Sequence, residues 1–261
     1  MTAVEFDNIT ARLWALIYIY LYMITDPDYN FLSPAGRDLV IAAARFGAVN
    51  PSSRVLILGC GGGAGAVLVA KEFRCRVVAV DTRPGLAEEA RELCERSGVS
   101  HLVAVDAGNP FEAGYADDPF DLVVVEGGFL KASVRKPFFE EVARWLLPRA
   151  FVAFADIVYI TEQVPSTVSQ VYGSLKKQTL FEEAYRKLVR DAGVDLQYVG
   201  LSPPSNWYNF YGHIVKRMAD TKGFFSSNAV KAAMNNEVNL FHRMDCLRFL
   251  GYLICICRKK D

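Results

Sequence analysis

The chain has 261 residues, 52% of them apolar, a length that allows one elaborated domain or two small ones, and a single α/β domain of this size needs no disulfides for its core. Its 29 basic residues balance 29 acidic ones, which argues against nonspecific nucleic-acid binding as the main activity, because neutralising phosphates requires a basic excess. Six cysteines without a C-x-x-C pair and only three histidines do not have the spacing of a zinc site or a disulfide framework, so we expect no metal and a reducing, cytoplasmic environment.

The N-terminal segment contains twelve consecutive apolar residues, Leu13–Ile24. This run is too short to span a membrane, which takes roughly 20 residues. The chain starts with MTAVEFDN, which contains Glu5 and Asp7 and lacks the basic start of a secretory signal. We therefore predict a buried or capping helix over Glu5–Ile24, within an N-terminal helical cap of residues 1–35, and no membrane span.

Residues 36–261 are predicted to form the main domain. Short β-branched runs alternate with amphipathic stretches, the pattern of a mostly parallel sheet covered by helices on both faces. The pattern predicts a Rossmann-like α/β fold with seven strands, which are Arg54–Leu58, Arg76–Val80, His101–Val105, Asp121–Val125, Ala150–Ala155, Asp195–Leu201 and Leu247–Cys257. The clearest helices are predicted at Ala64–Phe73, Pro84–Arg96, Ser133–Leu146 and Leu180–Ala192.

A long insertion separates the last two predicted strands. Residues 205–245 have the pattern of two helices, and they follow a Ser-Pro-Pro-Ser turn. Long irregular segments of this kind usually cover a site that a rigid sheet builds. We expect a helical lid at about 205–245.

A glycine-rich turn follows the first predicted strand. Gly59, Gly61 and Gly63 permit positive φ angles and allow a ligand to lie against the backbone. Asp81, 22 residues after Gly59, ends the second strand, where a carboxylate can accept both hydroxyls of an adenosine ribose. A purely structural alternative is a tight turn with Asp81 capping the next helix. Gly59-x-Gly61-x-x-Ala64 also satisfies the dinucleotide fingerprint, so NAD or FAD is weighed as well.

The run VLILGCGGG over residues 55–63 resembles the first motif of the Rossmann-like class I S-adenosylmethionine-dependent methyltransferases. The similarity continues through the fourth-strand segment FDLVVVE at 120–126, the segment ARWLLP at 143–148, the helix at 181–194, which is like that of the family's small-molecule branch, and the closing strand. The resemblance implies S-adenosyl-L-methionine as cofactor. The residues it assigns to that cofactor are Gly59, Cys60, Gly61, Gly63, Asp81, Thr82, Asp106, Ala107 and Glu126.

Two departures from the family pattern affect details of the site. Ile57 stands where the family usually has an acid in the first strand, so a contact of that acid is lost or supplied elsewhere. The fourth strand ends in Glu126-Gly127-Gly128 and lacks the N-P-P-Y type of motif that holds a planar nitrogen. This departure weakens a nucleic-acid base as substrate.

Methyl transfer mainly requires alignment of donor and acceptor and exclusion of water. It does not require a catalytic triad or a metal. A hydroxyl, protonated amine or acidic carbon as acceptor would still need one base, and Glu126, Asp156 and His213 are the candidates. For Glu126 and Asp156, holding a loop or the cofactor is favoured over moving a proton.

Aromatic residues are the candidates for the acceptor pocket. Trp207 and Tyr211 share one face of a predicted helix, a pattern that also fits a core stripe. Tyr18 and Tyr22 come from the N-terminal helix. Together they predict a largely apolar, enclosed pocket beneath the N-terminal helix and the lid, suited to a small molecule.

The sequence therefore predicts a cytoplasmic S-adenosylmethionine-dependent methyltransferase with a small-molecule acceptor that is quinone-like, lipid-like or an amine. One alternative is a regulator that binds the cofactor without catalysis. A less favoured alternative is an NAD-dependent oxidoreductase. The sequence leaves open the acceptor, the atom that is methylated and the oligomeric state.

Overall fold

The structure, a computed structural model, describes residues 31–126, 130, 132–172, 182–220 and 222–260. The predicted helix Glu5–Ile24 and the candidate residues Tyr18 and Tyr22 lie outside these ranges, as does most of the predicted cap.

The described residues form one seven-stranded sheet flanked by helices. In chain order the elements are α1 (Gly36–Phe46), β1 (Arg54–Leu58), α2 (Ala64–Phe73), β2 (Arg76–Val80), α3 (Pro84–Arg96), β3 (Val103–Asp106), β4 (Phe120–Val125), α4 (Ala132–Glu141), β5 (Leu146–Tyr159), α5 (Ser166–Val171), α6 (Glu182–Asp191), β6 (Val194–Leu201), α7 (Pro204–Arg217), α8 (Asn228–Met244) and β7 (Leu250–Lys259).

The strand order is β3-β2-β1-β4-β5-β7-β6. Strand β7 runs opposite to the other strands of this sheet and pairs antiparallel with β5 on one side and β6 on the other. Leu58 at the end of β1 aligns with Val80 of β2 and Val125 of β4. The turns after these three central strands therefore meet at one edge of the sheet, where ligands of open α/β sheets bind. The predicted Rossmann-like fold class is confirmed.

Alternating side chains of the strands form two hydrophobic cores. On β1, Val55 and Ile57 face the core shared with α1, α2, α3, α7 and α8, while Leu56 and Leu58 face the core shared with α4 and α6. All four side chains are fully buried. The sheet is thus covered on both faces, which explains why its central strands are continuously apolar.

The predicted bounds of β1, α2, β2 and α3 match the structure, and other elements differ. The third strand begins at Val103 rather than His101, because Leu102 and Val103 donate backbone hydrogen bonds to Val99 in a turn. The predicted helix Ser133–Leu146 ends at Glu141 and is followed by a 3-10 turn over Val142–Trp145.

The fifth strand was predicted over Ala150–Ala155 and extends over Leu146–Tyr159, paired with β7 along much of its length. The last strand begins at Leu250 rather than Leu247, because a 3-10 turn over Cys246–Arg248 precedes it. Within the described ranges, no helix combines the length and the apolar composition needed to cross a membrane.

Candidate functional site

The glycine turn after β1 has the backbone geometry that its sequence predicts. Gly59, Gly61 and Gly63 have φ angles of 71°, 55° and 87°. The Gly59 amide donates to Val80 O at 2.8 Å, and the Gly63 amide donates to Cys60 O at 2.9 Å. A Cβ at Gly63 would lie 2.9 Å from Ala90 Cα. Glycine at this position therefore allows both the left-handed turn and the close approach of α2 to α3.

Asp81 fixes this turn from the end of β2. Its buried carboxylate accepts hydrogen bonds from the Gly61 and Arg83 amides, both at 3.0 Å. The Arg83 guanidinium adds two bonds, with Nε 2.7 Å from Oδ1 and Nη2 2.7 Å from Oδ2. Asp81 therefore does not cap α3, whose N-cap residue is Arg83.

The Arg83 guanidinium thus bonds to both oxygens of the Asp81 carboxylate. Its side chain is 42% exposed and can turn toward solvent. Arg83 was missed in the sequence analysis, although a cation two residues after the key acid was a visible signal.

The predicted adenine-binding residues lie at the same edge of the sheet. Thr82, Asp106 and Ala107 are all exposed, at the ends of β2 and β3. The Asp81 amide donates to Asp106 O at 3.2 Å and so joins the two turns. The structure thus brings these residues next to the glycine turn, and their contact with an adenine stays a prediction.

Glu126 follows β4 and carries a buried carboxyl group at this edge of the sheet. Its amide donates to Leu58 O at 2.8 Å, and its side chain is buried. Oε1 has no hydrogen-bond partner among the described residues. A Cβ at Gly65, in the first turn of α2, would collide with this oxygen. Burial, together with the smaller effect of the nearby Asp81 charge, raises the pKa of the Glu126 carboxyl to about 8.

A small cavity of about 30 Å³ joins the glycine turn to Glu126. Leu32 covers the turn, since a Cβ at Gly61 would lie 3.1 Å from its Cδ1. The residues that line the cavity are Phe31, Leu32, Ser33, Gly59, Cys60, Gly61, Ala64, Arg83 and Glu126. A left-handed backbone turn, an apolar cover and a buried carboxyl therefore enclose the same space.

Asp156, predicted as a candidate base, lies elsewhere. Its side chain accepts hydrogen bonds from Arg135 Nη2 at 2.7 Å, from the Tyr185 hydroxyl and from the Ile157 amide at 2.8 Å. Tyr185 belongs to the core on the α4 and α6 face. Burial raises the pKa of Asp156, against the opposing effect of these bonds. Because its partners hold both carboxylate oxygens, the structure favours the anchoring role over that of a base.

Trp207 and Tyr211 are buried, and both contact neighbouring side chains of the protein. Each is 1% exposed. The Trp207 ring stacks on Phe241, with centroids 5.9 Å apart and an interplanar angle of 8°. The Tyr211 hydroxyl donates to Glu237 Oε1 at 2.7 Å and lies 2.7 Å from the Tyr172 hydroxyl.

These contacts place Trp207 and Tyr211 in the hydrophobic core, in agreement with the core stripe. That they line an acceptor pocket stays a prediction. His213, on the same helix, is half-buried and is not among the residues that line the described cavity.

The insertion reaches the same edge of the sheet through Glu89 of α3. Arg217 Nη2 donates to Glu89 Oε2 at 2.6 Å, and the Phe224 amide donates to Oε1 at 3.1 Å. The Arg83 guanidinium lies 5.4 Å from the centroid of the Phe224 ring. The insertion therefore packs beside the glycine turn. Among the residues that the structure places, no group of histidines, cysteines and acids could hold a metal ion.

Comparison with known proteins agrees with this geometry. Residues 55–149 match the family model described as a methyltransferase domain. The chain is 28% identical over 150 residues to a glycine/sarcosine/dimethylglycine N-methyltransferase of Actinopolyspora halophila, which is 58% of this chain but 26% of that protein. It is 24% identical over 190 residues to a sarcosine/dimethylglycine N-methyltransferase of Halorhodospira halochloris, covering 72% of this chain and 68% of that protein.

Among solved structures, a SAM-dependent methyltransferase from Geobacter sulfurreducens in complex with S-adenosyl-L-homocysteine superposes with a TM-score of 0.69 at 16% identity. The superposition covers 92% of this chain and 98% of that one. The similarity confirms the fold over nearly the whole chain.

Proposed function

We propose that the chain, whose residues 55–149 match a methyltransferase-domain model, is an S-adenosylmethionine-dependent methyltransferase of the Rossmann-like class I type with a small-molecule acceptor. The observation that carries the proposal is the cavity between the glycine turn and Glu126, at the edge of the sheet that the domain match covers.

The residues at this edge fit the cofactor in three respects. The left-handed turn at Gly59, Gly61 and Gly63 leaves its backbone open to a ligand. Asp81 offers a buried carboxylate to the ribose hydroxyls once Arg83 turns away. The unpartnered Oε1 of Glu126 gives the cavity an acceptor for a donor group. When bound, the cofactor supplies an electrophilic methyl group on a sulfonium.

The chain contributes orientation and exclusion of water. Cys60 and the three glycines would hold the cofactor by their backbone, while Thr82, Asp106 and Ala107 would border the adenine. Phe31 and Leu32 place apolar surface on the cavity, which would keep water away from the methyl group and the acceptor atom. The buried Cys60 thiol stays protonated, because burial raises its pKa well above the usual value.

The acceptor is proposed to be a small molecule, and an amine is the class to test first. Both relatives from Actinopolyspora and Halorhodospira are named as N-methyltransferases of small amines. Tyr18, Tyr22 and His213 remain candidates for the acceptor side. We expect the enzyme to act in the cytoplasm without nucleic acid; the six cysteines are all free thiols.

Calorimetric titration with S-adenosylmethionine, S-adenosylhomocysteine and NAD tests the cofactor. We expect the first two to bind and NAD not to bind. Mass spectrometry of a panel of small amines, phenols and quinols incubated with enzyme and S-adenosylmethionine then tests transfer. Binding without transfer to any member of the panel would favour the non-catalytic regulator, and binding of NAD alone would favour an oxidoreductase.

A further inference from the structure

We propose that Glu126 is the receptor for a positive charge of the cofactor, and that its carboxyl releases its proton as that charge binds. This inference rests on the proposed function and deepens it. It concerns binding rather than the chemical step, so it can be tested with ligands that do not react.

The geometry isolates one carboxyl oxygen in the cavity. Glu126 is 5% exposed, and its Oε1 has no hydrogen-bond partner among the described residues. Buried polar atoms without partners are uncommon in folded proteins and call for an explanation. The absence of a side chain at Gly65 makes the room for this oxygen. The first turn of α2 therefore leaves room for the Glu126 carboxyl but donates no hydrogen bond to its Oε1.

The charged groups around Glu126 leave it without a counterion. The Asp81 charge helps to raise the pKa of Glu126, and the Asp81 carboxylate is already paired with Arg83. The Cys60 thiol and the Tyr252 hydroxyl also face this region, and burial raises the pKa of each, so both stay neutral. Two features favour an anion here: the N-terminus of α2, next to Gly65, and the Arg83 guanidinium, which lines the same cavity but is paired with Asp81.

The carboxyl is therefore expected to hold its proton at neutral pH in the free protein, in agreement with its pKa of about 8. An entering cation would supply the missing counterion and favour the ionised form. Binding of the cation and loss of the proton are then linked. A neutral ligand of the same shape would leave the proton in place.

The cofactor offers two organic cations, an ammonium on its amino-acid portion and a sulfonium. Three probes separate them. S-adenosylmethionine has both charges, S-adenosylhomocysteine has only the ammonium, and 5′-methylthioadenosine has neither but shares the adenosine thioether. Titration calorimetry near neutral pH, in buffers of low and high ionisation enthalpy, counts the protons released with each probe.

We expect the two charged probes to release about one proton per site and methylthioadenosine to release none. Glu126→Gln should abolish that release and weaken binding of S-adenosylhomocysteine by about tenfold or more, as for loss of a charged hydrogen bond. Its affinity for methylthioadenosine should match wild type, which also shows that the variant is folded. Gly65→Ala should have the same effects, because its Cβ displaces Oε1.

Gly85→Ala is the matched control, since a Cβ at that helical glycine meets nothing within 4 Å. Release with S-adenosylmethionine alone would assign the sulfonium, and release with both charged probes would assign the ammonium. Equal proton release by wild type and Glu126→Gln would overturn the inference while leaving the proposed function intact. Failure of all three probes to bind would overturn both.

Discussion

At the residue scale, the site depends on two acids with different surroundings. Asp81 has its carboxylate oxygens held by the Gly61 amide and by Arg83, whereas Glu126 has an oxygen without a partner in the described structure. The first acid is thus a hydrogen-bonded anchor of the glycine turn. The second is a buried acid whose charge state depends on its ligand.

Asp81→Ala should weaken cofactor binding by about 2 to 4 kcal/mol, because two charge-assisted hydrogen bonds to the ribose are lost. The turn also loses its tie to Gly61. Calorimetry with S-adenosylhomocysteine measures the change. Asp118→Ala is the control, since Asp118 is exposed and pairs with Arg54 at the opposite end of β1. Wild-type affinity in Asp81→Ala would place the ribose elsewhere.

Glu126 should make the protein less stable as the pH rises. Burial raises its pKa from 4.5 to about 8, so between these values the native state binds more protons than the unfolded state, and the free energy of unfolding falls with pH. Between about pH 5 and pH 8, we expect the free energy of unfolding of wild type to fall by about 3 to 5 kcal/mol relative to that of Glu126→Gln. Urea unfolding of both proteins at the two pH values measures this difference, and parallel pH profiles would refute the shift.

At the element scale, the sequence predicts best where signals are local. The bounds of β1, α2, β2 and α3 follow from β-branched runs, the glycine turn and Pro84 at the start of α3. The length of β5 depends on pairing with β7, about a hundred residues away in sequence. A local pattern could not set its ends.

The same distinction applies to the site. The glycine turn and Asp81 were predicted because their spacing reflects a local strand-turn-helix unit. The roles of Glu89 and Gly65 were not, because each depends on a distant partner, Arg217 or Glu126. The stripe of Trp207 and Tyr211 was ambiguous for a similar reason: only the position of α8 decides whether it faces a core or a pocket.

Gly63 lies where α2 packs against α3. Its substitution should therefore destabilise the protein more than substitution of a glycine that is needed only for a turn. Gly63→Ala places a methyl group 2.9 Å from Ala90 and also requires a positive φ of 87°. We expect the free energy of unfolding to fall by about 2 to 5 kcal/mol, through backbone strain and overpacking together.

Gly98→Ala separates the two causes, because Gly98 has a φ of 71° but open space around it. It should lose only the strain component, about 1 to 3 kcal/mol. Urea unfolding measures both variants, and equal losses would remove the packing argument.

Glu89 should hold the turn of the insertion against α3. Glu89→Ala removes the partly buried pair with Arg217 and the hydrogen bond from the Phe224 amide. We expect faster hydrogen exchange at the Phe224 amide, which loses its acceptor. The free energy of unfolding should fall by about 1 to 3 kcal/mol, because Arg217 is left partly buried with fewer partners. Glu88→Ala is the control, since Glu88 pairs only at the surface with Arg91. Unchanged exchange at Phe224 would show that the ring contacts suffice.

At the scale of the whole molecule, the insertion and the sheet share one core. Trp207, Tyr211 and Phe241 belong to the same buried cluster as α1, α2 and the central strands. Trp207 packs edge-on against Tyr252 of β7, with ring centroids 5.6 Å apart. On this packing the insertion is a structural part of the domain, and any opening over the cavity would come from smaller segments such as the turn at Phe224.

A shared core predicts that the insertion does not unfold before the sheet. Trp14→Phe combined with Trp145→Phe leaves Trp207 as the single tryptophan of the chain, and its fluorescence reports the packing between α7, α8 and β7. We expect its urea transition to coincide with the loss of secondary structure seen by circular dichroism on the same variant, as two-state behaviour requires. Comparing two probes on one protein cancels any stability lost through the substitutions. A tryptophan transition at clearly lower urea would show that α7 and α8 open as a unit, and the insertion would then act as a mobile lid over the glycine turn.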